Sequence, residues 1–590
     1  MKSIRFLTFG LLLFLFGSLQ LMAEPAHPDP IKVIQPDGSR VTLRLIGDEF
    51  FHYTATADGY TVVKNTAGGY EYAILNDGRL QTSGLLAHDA QERSQYELSF
   101  LTQVERNIHS ANEVKQAKSR RQAIRQQQRP APAIDYDKFR GLVVLINFRD
   151  KKFSMENPKE FYDDMLNTKD YQGFTHEGRF QKCTGSARDY YNDNSGGMFD
   201  PHFDVVGPID VDYSCLEGNG KSREIFRAVM DAIDPQVDFS QYDADNDGTI
   251  DMVFFLVAGY SSNYVGNDSG YLWPHMGALV GYDNETDSYF ILEYDNLDMW
   301  GYACSCEIYG WEQYGNTIPN GIGTFCHEFS HVLGLRDLYD TDGGESGGES
   351  NHPNRWSVMA NGASFNYGRT PAAYTIYERY TLGFSQPREI VEPGEYSLDH
   401  VGTTGDGLIL RTPVENEFFM FDNRQQVKWD TALPYHGLTV WRVDSTDEIV
   451  WWNNRVNANP EHNYFEMVRA GGTSADASWD PFPGKGNVTY LSPITEPAAL
   501  VTWAKVPVEK TIKNIREIDG VISFTVVDGI ESFSLGDVNR DGEVNIADLN
   551  VLIQYILSGT SGIIGRADIN GDNEINIGDV NSLIDIILTQ

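Results

Sequence analysis

Apolar and polar positions change period several times along the chain, and each change marks a part of it. Phe6 to about Phe16 is an apolar run behind Lys2 and Arg5, and Leu21-Met22-Ala23 closes it with a small residue. A positive start, a run too short for a membrane span and a small residue at the end are the layout of an export leader over residues 1–23. From residue 24 to about 103, short strand-like segments such as Val33-Ile34-Gln35 run into turns at Pro36-Asp37-Gly38, Asp58-Gly59, Gly68-Gly69 and Asp77-Gly78, which predicts a β-rich unit. The pattern then dissolves. Val114 to Arg129 holds six basic residues and no acidic one, which reads as a protease-sensitive junction closing a propeptide over 24–130, or else as a solvated linker. A buried-strand run restarts at Gly141-Leu142-Val143-Val144-Leu145-Ile146-Asn147-Phe148. Strands and helices mix over 131–385, and 386–528 is strand-like, as in Gly437-Leu438-Thr439-Val440-Trp441-Arg442-Val443.

The last stretch, 529–590, contains an internal repeat. Asp537-Val538-Asn539-Arg540-Asp541-Gly542-Glu543 leads to Asp548, and Asp568-Ile569-Asn570-Gly571-Asp572-Asn573-Glu574 leads to Asp579. Oxygen side chains at alternate positions around a turn suit calcium, through Asp537, Asn539, Asp541, Glu543 and Asp548, then Asp568, Asn570, Asp572, Glu574 and Asp579. Ile546, Leu549, Leu552, Ile553 and Ile556 recur as Ile577, Val580, Leu583, Ile584 and Ile587. Each set is a helical apolar stripe, so the two loop–helix units are expected to pack on one another. A third loop, Asp243-Ala244-Asp245-Asn246-Asp247-Gly248-Thr249-Ile250-Asp251, offers carboxylates from Asp243, Asp245, Asp247 and Asp251 and the carbonyl of Thr249. Phe254 stands where an EF-hand has its bidentate glutamate, so a complete EF-hand is not expected there.

The decisive chemistry lies in Thr324-Phe325-Cys326-His327-Glu328-Phe329-Ser330-His331-Val332-Leu333-Gly334-Leu335-Arg336-Asp337. Histidines four apart share a helix face and can bind one ion, with Glu328 able to reach its water without being a ligand. Gly334 can take a left-handed conformation that turns the chain back and brings Asp337 in as third ligand. Three protein ligands leave one zinc position open, the arrangement of a catalytic site with Glu328 as general base. Trp356-Ser357-Val358-Met359-Ala360-Asn361-Gly362 has the look of a metzincin methionine turn around Met359, and Tyr367 beyond it is a candidate second oxyanion donor.

Composition narrows the rest. A net charge of −38 repels phosphate backbones, so nucleic acid is not expected as a partner, and extracellular solubility is its simplest meaning. Five cysteines, Cys183, Cys215, Cys304, Cys306 and Cys326, show neither CxxC nor a Cys–His zinc spacing. A Cys183–Cys215 bridge is compatible with an oxidising compartment but is not assigned.

The run HEFSHVLGLRDLYD resembles the immune inhibitor A family of secreted bacterial zinc metallopeptidases. Gly185-Ser186-Ala187-Arg188-Asp189-Tyr190-Tyr191, Asn194-Ser195-Gly196-Gly197, Trp273-Pro274-His275 and Phe418-Phe419-Met420-Phe421-Asp422-Asn423-Arg424-Gln425-Gln426 resemble further segments of that family. The resemblance implies a zymogen that cleaves proteins internally, with protein or peptide substrates. No cysteine lies between residues 24 and 182, which excludes a cysteine-to-zinc switch within the propeptide and leaves an oxygen or nitrogen ligand, such as Asp48, Glu49 or His52, or steric cover. The two C-terminal repeats look like a dockerin, which implies calcium-dependent folding and a cohesin-type partner bound through Ile546-Ala547 and Ile577-Gly578. The expected architecture is α+β: a metzincin-like zinc peptidase domain at 131–385 with a β-rich propeptide, a β-rich extension at 386–528 and a small all-α dockerin-like module at 529–590. The expected metals are one catalytic zinc, two calcium ions in the dockerin-like module and one in the catalytic domain. The mature protein is expected to be secreted, free or attached to a scaffold or cell surface, with no membrane span. Two rival readings are a binding protein on a dead peptidase and a scaffold-attached member of a polysaccharide-degrading complex.

Overall fold

The structure, a computed structural model, describes residues 22–48, 51–76, 78–110, 114–115, 134–265, 270–283, 288–299, 301–310, 315–342, 347–348, 350–472, 476–495, 497–530, 534–539, 543–558, 567–572 and 574–589. The expected leader up to residue 21, Glu49, nearly all of the basic junction and Asp541 lie outside these residues. Mixed α and β structure fills the rest, in several sheets.

The central sheet has six strands in the order Met22–Ala23, His275–Ala278, Gly301–Ile308, Val253–Tyr260, Arg140–Asn147, His202–Asp210. The last four run parallel to one another, while His275–Ala278 and then Met22–Ala23 are added antiparallel at one edge. Unbroken apolar runs in Arg140–Asn147 and Val253–Tyr260 follow from burial on both faces. Val143, Leu145, Phe254 and Leu256 point into one core, and Leu142, Val144, Phe255 and Val257 into the other.

Helix Gly218–Ile233 covers the second face, with Phe226 stacked on Phe255 at 4.2 Å. Helix Gly323–Val332 covers the first, and every one of its residues is buried. Its Phe325 meets Phe254 at 4.4 Å and Phe203 at 5.0 Å, and Phe329 lies 5.3 Å from Phe139. Each such buried phenylalanine contributes roughly 1.5–3 kcal/mol, so the helix that carries the histidines is clamped to the sheet. Cys183 and Cys215 are thiols and sit in different cores, on opposite faces of this sheet, so the bridge that the sequence allowed is not made.

The chain after residue 385 extends the first core and also builds a third one of its own. In strand Glu417–Arg424, Phe418 and Met420 join the core of the histidine helix, and Phe419 and Phe421 join a third core with Ile512, Ile522 and Phe524. The N-terminal residues form a six-stranded antiparallel meander from Ile31–Ile34 to Arg79–Leu86 around Val33, Val41, Leu43, Val62 and Tyr72. At the C-terminus helices Ile546–Ser558 and Ile577–Thr589 pack through Leu552, Val580 and Leu583. The first residue of each apolar stripe departs from expectation: Ile546 and Ile577 are 69% and 66% exposed. They stand at the loop–helix junctions, before the helices meet. Among the described residues no helix is long and apolar enough to cross a membrane.

Candidate metal-dependent active site

Helix Gly323–Val332 ends as its sequence dictates: Gly334 has φ of +109°, and the amides of Gly334 and Leu335 bond back to His331 and Ser330. The reversal carries Asp337 under the helix. Asp337 Oδ1 lies 3.2 Å from Nε2 of both His327 and His331. All three atoms are buried and none has a hydrogen-bond partner, so they aim at a common point rather than at each other. A tetrahedral ion with bonds of about 2.0–2.1 Å separates its ligands by about 3.3–3.4 Å, so this set fits zinc.

Each donor is oriented from behind. Nδ1 of His327 donates to the Val358 carbonyl at 2.8 Å and Nδ1 of His331 to the Leu335 carbonyl at 3.0 Å, which leaves both Nε2 atoms as lone-pair donors to a metal. Asn454 Nδ2 donates to Asp337 Oδ2 at 2.5 Å, while its own Oδ1 accepts from the Asp337 amide at 2.8 Å. Burial opposes ionisation of Asp337, but the two imidazoles hold its carboxyl well below the usual range. Met359 is fully buried in the same core as Phe325 and Phe329 of the histidine helix, and its turn is fastened by Ser357, which bonds Glu378, and by Arg424. Arg424 is itself fully buried: it pairs with Asp430 at 2.6 Å and donates to the carbonyls of Trp356 and Ala373. In the sequence Arg424 stands in a family-like segment that gives it no role, and neither Asn454 nor Glu378 falls in any motif. Tyr367 has a half-exposed ring against Tyr309 and beneath the Arg369 guanidinium.

The N-terminal segment runs directly into this site. Met22 pairs with Met276 and Ala23 with His275, antiparallel at the sheet edge. The next backbone nitrogen, that of Glu24, donates to Glu328 Oε1 at 2.8 Å. The Glu24 carbonyl accepts from the Trp273 indole at 2.8 Å, and the Trp273 ring stacks on His52 and packs with Ala26 and Leu45. Of the residues considered for latency, Asp48 accepts from the Phe51 amide and presents its carbonyl to His52 Nδ1. Neither belongs to the group formed by His327, His331 and Asp337.

The carboxylates of Asp243, Asp245 and Asp247 gather within 4.8 Å of one another. Their loop is held by its own amides: those of Asp247 and Gly248 bond Asp243, and that of Thr249 bonds Asp247. Asp251 Oδ1 is buried with no hydrogen-bond partner, and burial first, then the neighbouring aspartates, push its carboxyl up to about 7. This donor set fits a calcium ion. In the C-terminal loops Asp548 accepts the amides of Asn539 and Asn545, and Asp579 those of Ile569, Asn570 and Asn576. Asp568 accepts from Gly571 and Asp572, and Asp572 from Glu574. Side chains of Asn545 and Asn576 bond Glu543 and Glu574.

Comparison with known proteins agrees with this layout. Residues 135–379 match the family described as immune inhibitor A peptidase M6, catalytic domain, and residues 535–588 match the dockerin type I domain. Immune inhibitor A of Bacillus thuringiensis subsp. alesti is 26% identical over 280 residues, covering 41% of this chain and 39% of that protein. The pre-pro-metalloprotease PrtV of Vibrio cholerae serotype O1 is 24% identical over 255 residues, covering 38% of this chain and 26% of its own. The chain therefore spans two fifths or less of the length of these curated relatives. It carries a peptidase M6 domain and a dockerin type I domain.

Proposed function

We propose that the protein is a secreted zinc-dependent endopeptidase, made as a latent precursor, that hydrolyses internal bonds of extracellular proteins. One observation carries the reading: three buried ligand atoms converge beside Glu328, and Glu328 touches the backbone nitrogen of a strand laid antiparallel along the sheet edge. A polypeptide substrate would lie there in the same way, its backbone paired with His275–Ala278. Zinc bound there would supply Lewis acidity toward the attacking water and the scissile carbonyl. Glu328 takes the proton of the attacking water and passes it to the leaving nitrogen, the atom that the Glu24 nitrogen mimics. His327, His331 and Asp337 would hold the metal, with the Val358 carbonyl of the Met359 turn orienting His327.

The residues that follow the expected leader support latency by cover: Glu24, the first residue after Ala23, would stay against Glu328 once the leader is removed. With Glu24 against Glu328 no substrate can enter, and cutting the basic segment before residue 130 would let the N-terminal unit leave. Calcium at Asp243, Asp245, Asp247, Asp251 and the Thr249 carbonyl would stiffen the catalytic unit. Two more calcium ions would order the C-terminal loops at Asp537, Asn539, Asp541, Glu543 and Asp548, and at Asp568, Asn570, Asp572, Glu574 and Asp579. A cohesin-type module is the partner that a dockerin suggests, and the exposed Ile546 and Ile577 give it an apolar anchor at each repeat.

The test is cleavage of casein by the protein activated by limited proteolysis, and by Glu328→Ala prepared alike, with zinc measured on both. Wild type should cleave and stop on chelation, and the variant should keep zinc and lose at least about a thousandfold in kcat. A zinc-loaded, processed wild type that cleaves no protein of a broad panel would overturn the reading.

A further inference from the structure

The Glu24 side chain does something that covering the site does not require. It enters a closed polar pocket beside the histidine helix. Asn263 Nδ2 donates to its Oε2 at 2.8 Å, and Thr324 Oγ1 donates to the same oxygen at 2.9 Å. Asn263 and Thr324 are 1% and 4% exposed, and Glu24 itself is 5% exposed. The pocket is built to donate. Ser261, fully buried, gives its hydroxyl hydrogen to Asn263 Oδ1, so the amide oxygen is occupied and Nδ2 is turned inward. The Asn263 carbonyl receives the His27 amide at 2.9 Å, which fixes the backbone as well.

The backbone frame says which residue of a substrate this is. Glu24 supplies the nitrogen that touches Glu328, and the two residues before it pair with the sheet edge. Its side chain therefore stands for the first residue after the scissile bond. We propose that Asn263 and Thr324 form the subsite for that residue and select glutamate or glutamine there, a specificity that rests on the peptidase reading.

Two buried donors aimed at one point need an acceptor oxygen on a side chain of this length. Lysine and arginine bring only donors. Leucine leaves both donors unsatisfied, a loss that sites built to hydrogen-bond reject strongly. Both donors meet a single oxygen, Oε2, which a glutamine carboxamide offers as well as a glutamate carboxyl does.

The enzyme activated by limited proteolysis would be given a peptide library made from a whole-cell digest, and the new N-termini read by mass spectrometry. Glutamate and glutamine should be enriched at the first position of the new fragments, and kcat/KM for matched peptides should fall at least about tenfold on changing that residue to leucine or lysine. Asn263→Leu and Thr324→Val, each checked for retained zinc and thermal stability, should shrink the glutamate-over-leucine ratio. Cleavage without that enrichment, with both variants unchanged in selectivity, overturns the subsite while leaving the peptidase intact. A fluorescent Glu-Pro-Ala-His-Pro-Asp peptide titrated into the zinc-loaded activated enzyme reads the pocket without turnover. Its Kd should rise at least about tenfold when the glutamate becomes leucine or lysine, and equal affinities overturn the proposal whether or not any peptide is cut.

Discussion

The His327–His331–Asp337 triad and the Asp243–Asp251 loop are both short sequence motifs of residues that could hold a metal, yet the fold treats them in opposite ways. The triad is buried in the main core, and its orienting partners come from far along the chain, Val358 for His327 and Asn454 for Asp337. The acidic loop is half-exposed and is held by its own backbone amides. The first is assembled by packing before any ion arrives. In the second, close carboxylates repel one another, and the proposed calcium ion would complete the structure. Spacing alone does not separate these cases. What separates them is how many distant residues are committed to each ligand.

The comparison is broken most forcefully by attacking the scaffold behind the triad. Arg424 is fully buried between Asp430 and two carbonyls of segments flanking the Met359 turn. Arg424→Met removes a buried charge and leaves the Asp430 carboxylate without its guanidinium, held by His400 and the Ala373 amide. Such a loss costs about 3–5 kcal/mol, which should lower the melting transition of the catalytic unit by roughly 10 °C in calorimetry. A shift under about 2 °C would mean that the turn is held without Arg424.

A milder change tests orientation without unfolding. Asn454→Ala leaves the three ligands in place but takes both hydrogen bonds from Asp337. Partners of this kind are worth about 10–100-fold in metal affinity or activity. Zinc competition with a chromogenic chelator should show that loss with little change in melting temperature. Unchanged affinity would mean that the helix and the Gly334 turn orient Asp337 by themselves.

These two residues also show where the sequence is legible. His327, Glu328, His331, Gly334 and Asp337 lie within one helix and its turn, so local geometry already brings them together. Asn454 and Arg424 act across 117 and 68 residues of chain, and no periodicity reports such contacts. The apolar runs at Gly141–Phe148 and Gly437–Val443 became strands as their patterns suggested. That strand Glu417–Arg424 would feed two cores at once was invisible, because an unbroken apolar run tells that both faces are buried and not against what. Likewise Asn263 and Thr324 carry no motif, and they become a pocket only when Glu24 is laid beside them. Ile546 and Ile577 fit a helical stripe by spacing, yet they fall before the two helices converge and stay in solvent.

The smallest expected effect sharpens the other half of the comparison, the loop that waits for its ion. Without calcium, Asp251 is held at about 7 by burial and by the three aspartates around it, well above an ordinary aspartate near 3.9. A carboxyl whose pKa is raised by folding gives its stability at low pH and loses it as pH rises through the folded value. The chelated protein should therefore melt at a temperature that falls between about pH 4 and pH 8. Calcium replaces the proton, so the calcium-loaded protein should lose this slope, and binding near pH 6 should release protons, visible in calorimetry as a heat that depends on the buffer. Each kcal/mol recovered corresponds to about 2–4 °C, and Asp251→Asn should flatten the chelated curve without needing calcium. If the slope persists in that variant, it belongs to other carboxylates, and the loop is as self-sufficient as the zinc triad after all.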